Sequence, residues 1–159
     1  MFKIFFLSIF ILFLTPSTYS ANSPNSYELP FEVMDTECLR RYGAGKEDLI
    51  INSPEELQEV IYASGAKDEI LACWNNQWPR VDFSMKTILG AIIGVGGCTH
   101  EFDRKIIRDD DKKEIVYQIT STETGTCQQM MRDCHWLIIP KVPKGYTFRT
   151  EPNVIYKPE

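Results

Sequence analysis

Few residues in this chain can do acid–base, nucleophilic or metal chemistry. Two histidines and five cysteines are spread through 159 residues. His100 lies close to Glu101 and Asp103, and His135 follows Cys134 directly. Ser84 and Ser121 are the hydroxyls that could be imagined as nucleophiles, but no GxSxG elbow is present and no spacing brings a serine to a histidine. A cysteine nucleophile needs a thiol beside a histidine. Cys134 and His135 are adjacent, so on a strand they point to opposite faces. No CxxC occurs, and neither histidine has finger spacing to two cysteines, which argues against zinc. The carboxylates of Asp109 to Asp111 lack the glycine and distal glutamate of a calcium loop and read as a solvated turn. The residues therefore predict no catalytic group, no metal and no cofactor. The rival expectation is a small extracytoplasmic hydrolase using His100 or His135.

The densest glycine stretch is Gly94-Val95-Gly96-Gly97, followed by Cys98. A phosphate-binding loop needs Lys-Ser/Thr after its last glycine and then a helix; a dinucleotide turn needs GxGxxG between strand and helix. Neither pattern is met. The stretch is expected to be a loop projecting between two strands, and such loops carry recognition. Gly94, Val95, Gly96 and Gly97 are thus the candidate binding residues, with a structural bulge as the alternative.

The cysteines are read against the compartment. Met1 to Ser20 has a basic Lys3, an apolar run from Ile4 to Leu14 and small residues at Thr18 and Ser20. This is the pattern of a cleaved signal peptide, and the run is too short for a spanning helix, which needs about 20 residues. A periplasmic or secreted protein with no membrane span after cleavage is expected, so disulfides can persist. A hairpin turning at Asp109 to Lys113 brings Cys98 and Cys127 together at its open end, allowing for a bulge. Cys38–Cys73 then follows by elimination. Cys134, the competing partner for either hairpin cysteine, is left over as an unbridged thiol or in a bridge to another molecule.

The elements that hold these residues read mainly as β. Residues 21–35 look like a flexible lead, and 36–159 like one disulfide-bonded, β-rich domain. Ser53 caps a helix over about 53–64, with Pro54 at its first position, Glu56 completing a capping box and Gly65 ending it. Leu57, Val60 and Ile61 give that helix one apolar stripe. Lys67 to Pro79, with Cys73, Trp74 and Trp78, reads as irregular, its indoles core or half-buried. Strands are expected over Lys86–Gly94, Phe102–Arg108, Glu114–Thr120, His135–Ile139 and Tyr146–Thr150, with Val154–Tyr156 extending the last. Without βαβ spacing, the class is α+β: a mainly antiparallel sheet or small sandwich with one helix.

The net charge of −5 argues against a phosphate-binding face and so against nucleic acid. From about Ile51 to Tyr146 the chain resembles the C-terminal domain family of PrcB, a bacterial protease-complex subunit. The residues that carry the likeness are Ser53–Leu57, Pro79-Arg-Val-Asp-Phe-Ser84, Lys86-Thr-Ile-Leu-Gly90, Gly96-Gly97-Cys98 and Trp136-Leu-Ile-Ile-Pro-Lys141. Cys98 stands where members carry an aromatic. The resemblance implies a non-catalytic exported domain that assists or modulates a secreted protease, with no catalytic residues to carry over. The order of Gly94–Gly97 and Arg132…Trp136 is also similar to chagasin-type protease inhibitors, although the NPTTG loop is missing. The function expected is protein binding, with another exported protein as partner.

Overall fold

The computed structural model describes residues 24–34, 38–39, 48–75, 77–96, 98–125, 127 and 130–157. Met1–Ser20, expected to be a signal peptide, and Gly97 lie outside the described residues. Eight strands are described: β1 (Ser26–Leu29), β2 (Glu32–Val33), β3 (Leu49–Ile51), β4 (Lys86–Val95), β5 (Thr99–Asp109), β6 (Glu114–Thr124), β7 (Met131–Pro140) and β8 (Thr147–Lys157). Two helices are described, α1 (Pro54–Ala63) and α2 (Lys67–Cys73). The strands form two four-stranded sheets, β1-β5-β6-β8 and β2-β7-β4-β3. All pairings are antiparallel except β6–β8, which is parallel. Between β6 and β8 the chain runs through β7 in the other sheet, which returns β8 in the direction of β6. The α+β sandwich is the class expected from the strand pattern.

Two apolar clusters build three layers. Between the sheets lie Leu89, Ala91, Ile93 and Val95 of β4, Leu137 and Ile139 of β7, Ile106 of β5, and Ile115, Tyr117 and Ile119 of β6. On the other face of the second sheet, Ile88, Cys134 and Trp136 pack with Leu57 and Ile61 of α1 and Ile70 of α2. β4 and β7 are therefore covered on both faces, which is why KTILGAIIG and HWLII read as continuous apolar runs rather than alternation. At Gly90 of β4 the backbone packs close to the Trp136 indole and Leu49; a Cβ there would lie 3.6 Å from Cε3 of Trp136 and 3.4 Å from Cβ of Leu49, ordinary contact distances.

The helix start is built as the sequence suggests. Ser53 Oγ accepts from the Glu56 N–H at 3.2 Å, while Glu56 Oε2 reaches one residue further back, to the Asn52 N–H. Two expectations are corrected. Residues 67–73, expected irregular, form α2; its capping residue Ala66 has no side-chain hydrogen bond and Ile70 is its one fully buried apolar residue, so it left little periodic signal. Residues 26–29 and 32–33, expected within a flexible lead, are β1 and β2, paired with the C-terminal parts of β5 and β7. Buried Leu29 and Met34 hold them, and two residues are too few to show a period.

The bridges are Cys38–Cys73 and Cys98–Cys127. The β5–β6 ladder runs from Asp109↔Glu114 to Thr99↔Thr124, and the Cys98 N–H then donates to the Thr124 carbonyl at 2.8 Å. Cys127 lies beyond that register, and Gly125, with φ 82°, turns the chain to bring it back. Cys134 is buried in β7, outside both bridges. No helix among the described residues is long and apolar enough to cross a membrane.

Candidate functional site at the open corner of the sandwich

β1 covers the outer edge of β5 only from Ile106 to Asp109, and β2 covers β7 only at Leu137 and Ile138. Met34 adds one main-chain bond to the Trp136 carbonyl. Over Thr99–Lys105 and Met131–His135 no described strand pairs with those outer edges. The strand period sends His100, Phe102 and Arg104 of β5 inward, half-buried, and leaves Thr99, Glu101, Asp103 and Lys105 exposed. Asp133 and His135 share a face of β7 by the same rule, and Tyr117 comes from β6.

These side chains meet. The ring of Phe102 lies edge-on to His135 at 4.7 Å, and that of His100 lies 5.0 Å from Phe102. The Arg104 guanidinium stacks on Phe102 at 4.9 Å. Asp133 Oδ2 lies 3.6 Å from His135 Nε2 and 3.9 Å from His100 Nε2. Tyr117 Oη is 2.9 Å from His135 Nδ1, and Arg104 Nε donates to that same nitrogen at 3.5 Å. Arginine can only donate, so Nδ1 is the acceptor, Tyr117 donates to it, and the ring proton sits on Nε2 facing Asp133.

Burial is the main force lowering the His135 pKa from 6.5 to about 4; Arg104 and His100 push the same way, and Asp133 opposes them. The ring is neutral at physiological pH. Burial likewise raises the Tyr117 pKa and keeps the phenol protonated. The His135 side chain is only 4% exposed, against 22% for His100 and 17% for Asp133. Among the described residues, the buried polar side-chain atoms without a hydrogen-bond partner are His100 Nδ1, Ser121 Oγ and His135 Nε2. No group of three or more His, Cys, Asp or Glu among the described residues is placed to hold a metal.

Gly94 and Val95 are not part of the projecting loop expected of the glycine stretch. Gly94 and Val95 belong to β4, and the Val95 side chain is 1% exposed, packed between the sheets. The Gly96 N–H donates to Glu123 Oε1 at 2.8 Å, and a Cβ on Gly96 would lie 3.0 Å from Glu123 Oε2. The glycine is there to let a buried carboxylate approach the main chain. The Asp109–Asp111 cluster is the turn expected, with Asp109 Oδ1 accepting from the Lys112 N–H at 3.0 Å. Trp74 and Trp78 are half-buried and pack on each other at 6.1 Å. A cavity of about 300 Å³ lies elsewhere, lined by residues including Asn52, Glu56 and Lys141. Lys141 Nζ is already used there, donating to the Asn52 and Phe83 carbonyls at 2.8 and 2.7 Å.

Sequence reasoning named both histidines but missed Asp133, Tyr117 and Arg104. The period-two spacing of His100, Phe102 and Arg104, and of Asp133 and His135, was the available signal. Comparison with protein-family models, curated proteins and solved structures finds no match.

Proposed function

We propose that this chain is an exported, disulfide-bonded interaction domain that binds another exported protein and carries out no chemistry of its own. The observation that carries this reading is the outer edge of β5 over Thr99–Lys105, with which no described strand pairs. Such an edge offers main-chain donors and acceptors to an added strand. Glu101 and Asp103 are exposed on that stretch, and the chain carries a net charge of −5. Neighbouring strands pair by charge on one face, so the occupant that fits is an extended segment with basic side chains. The two bridges support an oxidising compartment, the periplasm or the medium. The likeness to the PrcB C-terminal family makes a secreted protease the first partner to test.

One observation favours a second reading: His100 and His135 converge on Asp133. A hydrolase would use His100, the more exposed of the two, as base. Against it, a general base must reach its substrate's proton, and the neighbouring His135 is shut inside the sandwich.

The test is capture of partners by the mature protein from its own compartment, identified by mass spectrometry. Glu101→Lys with Asp103→Lys should abolish capture of a protein that the unmodified chain retains, with the melting temperature unchanged because both side chains are exposed. Retention by the charge-reversed chain would overturn the edge reading. A turnover abolished by His100→Ala would establish the hydrolase instead.

A further inference from the structure

We propose that the open corner between β5 and β7 is an acid-operated latch: when His135 takes up a second proton beside the Arg104 guanidinium, the distal halves of the two strands part while the rest of the sandwich stays closed. The inference stands on the groups that face His135. From β5 these are His100 and Arg104; from β6, the Tyr117 hydroxyl; from β7 itself, Asp133. Its register partner on β4 is Ala91, which brings no charge. Glu123 stands opposite His100 in the β5–β6 register and accepts from the Gly96 N–H. Among the described residues Asp133 is the carboxylate within 4 Å of His135, on its Nε2 side, while Arg104 faces Nδ1.

The site of protonation makes the surplus disruptive. His135 already carries its proton on Nε2, so a second proton must go to Nδ1. That nitrogen accepts from Tyr117 and faces Arg104 Nε at 3.5 Å. Protonation there turns an acceptor into a donor, forces the Tyr117 hydroxyl to turn, and sets imidazolium against guanidinium in a poorly solvated space. The depressed affinity of His135 for protons agrees with this arrangement.

The architecture confines the opening. The distal outer edges of β5 and β7 have no described strand to hold them, whereas Ile106–Asp109 and Leu137–Ile138 are braced by β1 and β2. Cys98–Cys127 keeps β5 on β6, so what separates is one sheet corner from the other, not the hairpin.

The experiment is hydroxyl-radical footprinting of side chains on the disulfide-bonded mature chain at about pH 7 and about pH 4.5. Protection of Phe102 and His135, which meet between the sheets, should fall several-fold on acidification, while Ile106 and Leu137 keep theirs. His135→Gln retains an acceptor for Tyr117 and Arg104 without a titrating proton, and should remove most of that fall. Protection that is independent of pH, or that is lost equally across both halves, overturns the latch. Should the variant not fold, histidine ring NMR on the unmodified chain decides. A His135 titration coincident with the loss of protection supports the latch, and titration without that loss overturns it.

Discussion

His135 turns on a single proton. Burial and the adjacent Arg104 hold its folded pKa near 4, below the ordinary 6.5. Between those values the unfolded chain binds a proton that the folded chain refuses. The neutral ring's contribution to stability is therefore complete above about pH 6.5 and is lost as the pH falls toward 4, at up to about 1.4 kcal/mol per unit. Urea unfolding at a series of pH values should show the midpoint falling through this window, and a flatter profile for His135→Gln. Tyr117→Phe deletes the hydroxyl that donates to Nδ1 at 2.9 Å and should cost about 1 kcal/mol at neutral pH by the same measurement. The chemistry of each residue was legible in the sequence, since period two puts His100 with Arg104 and Asp133 with His135. Their meeting was not, because it depends on two strands of different sheets facing each other, and neither hairpin spacing nor alternation encodes that.

Elements differ in how much of themselves they announce. The helix α1 wrote its start in Ser53, Pro54 and Glu56, a local hydrogen-bonding pattern that needs no tertiary context. The short strands β1 and β2 are set by the edges they add to, and α2 by its packing around Ile70 and its bridge from Cys73, so their own residues carry little signal. Gly94 and Val95 misled because glycine density resembles a flexible tip, while β4 runs on through both and buries Val95 between the sheets. Val95→Asp sets a charge between the sheets and should lower the melting temperature by several degrees, as expected for about 1 kcal/mol or more. Affinity for a captured partner should stay unchanged wherever the protein remains folded. A fall in affinity without a fall in melting temperature would return this stretch to the binding site.

Across the whole molecule, a helical layer covers one face of a sheet whose other face packs on a second sheet, and the described strands leave part of that second sheet's edge unpaired. Between the sheets, buried polar and charged groups (His135, Glu123, Ser121) gather toward the end where Cys98–Cys127 closes the hairpin, beside apolar Val95 and Ile93. Replacing both of those cysteines with alanine should cost about 3 kcal/mol in denaturant unfolding, the scale set by the 29-residue separation. The claim that the molecule works by adding a partner's strand to β5 is tested most directly by photo-crosslinking in the producing cell. A photoreactive phenylalanine analogue placed at Asp103, on the unpaired stretch, should yield one discrete adduct with another exported protein. The same analogue at Glu59, exposed on α1, should yield none. Adducts from Glu59 alone, or from neither position, would contradict the account.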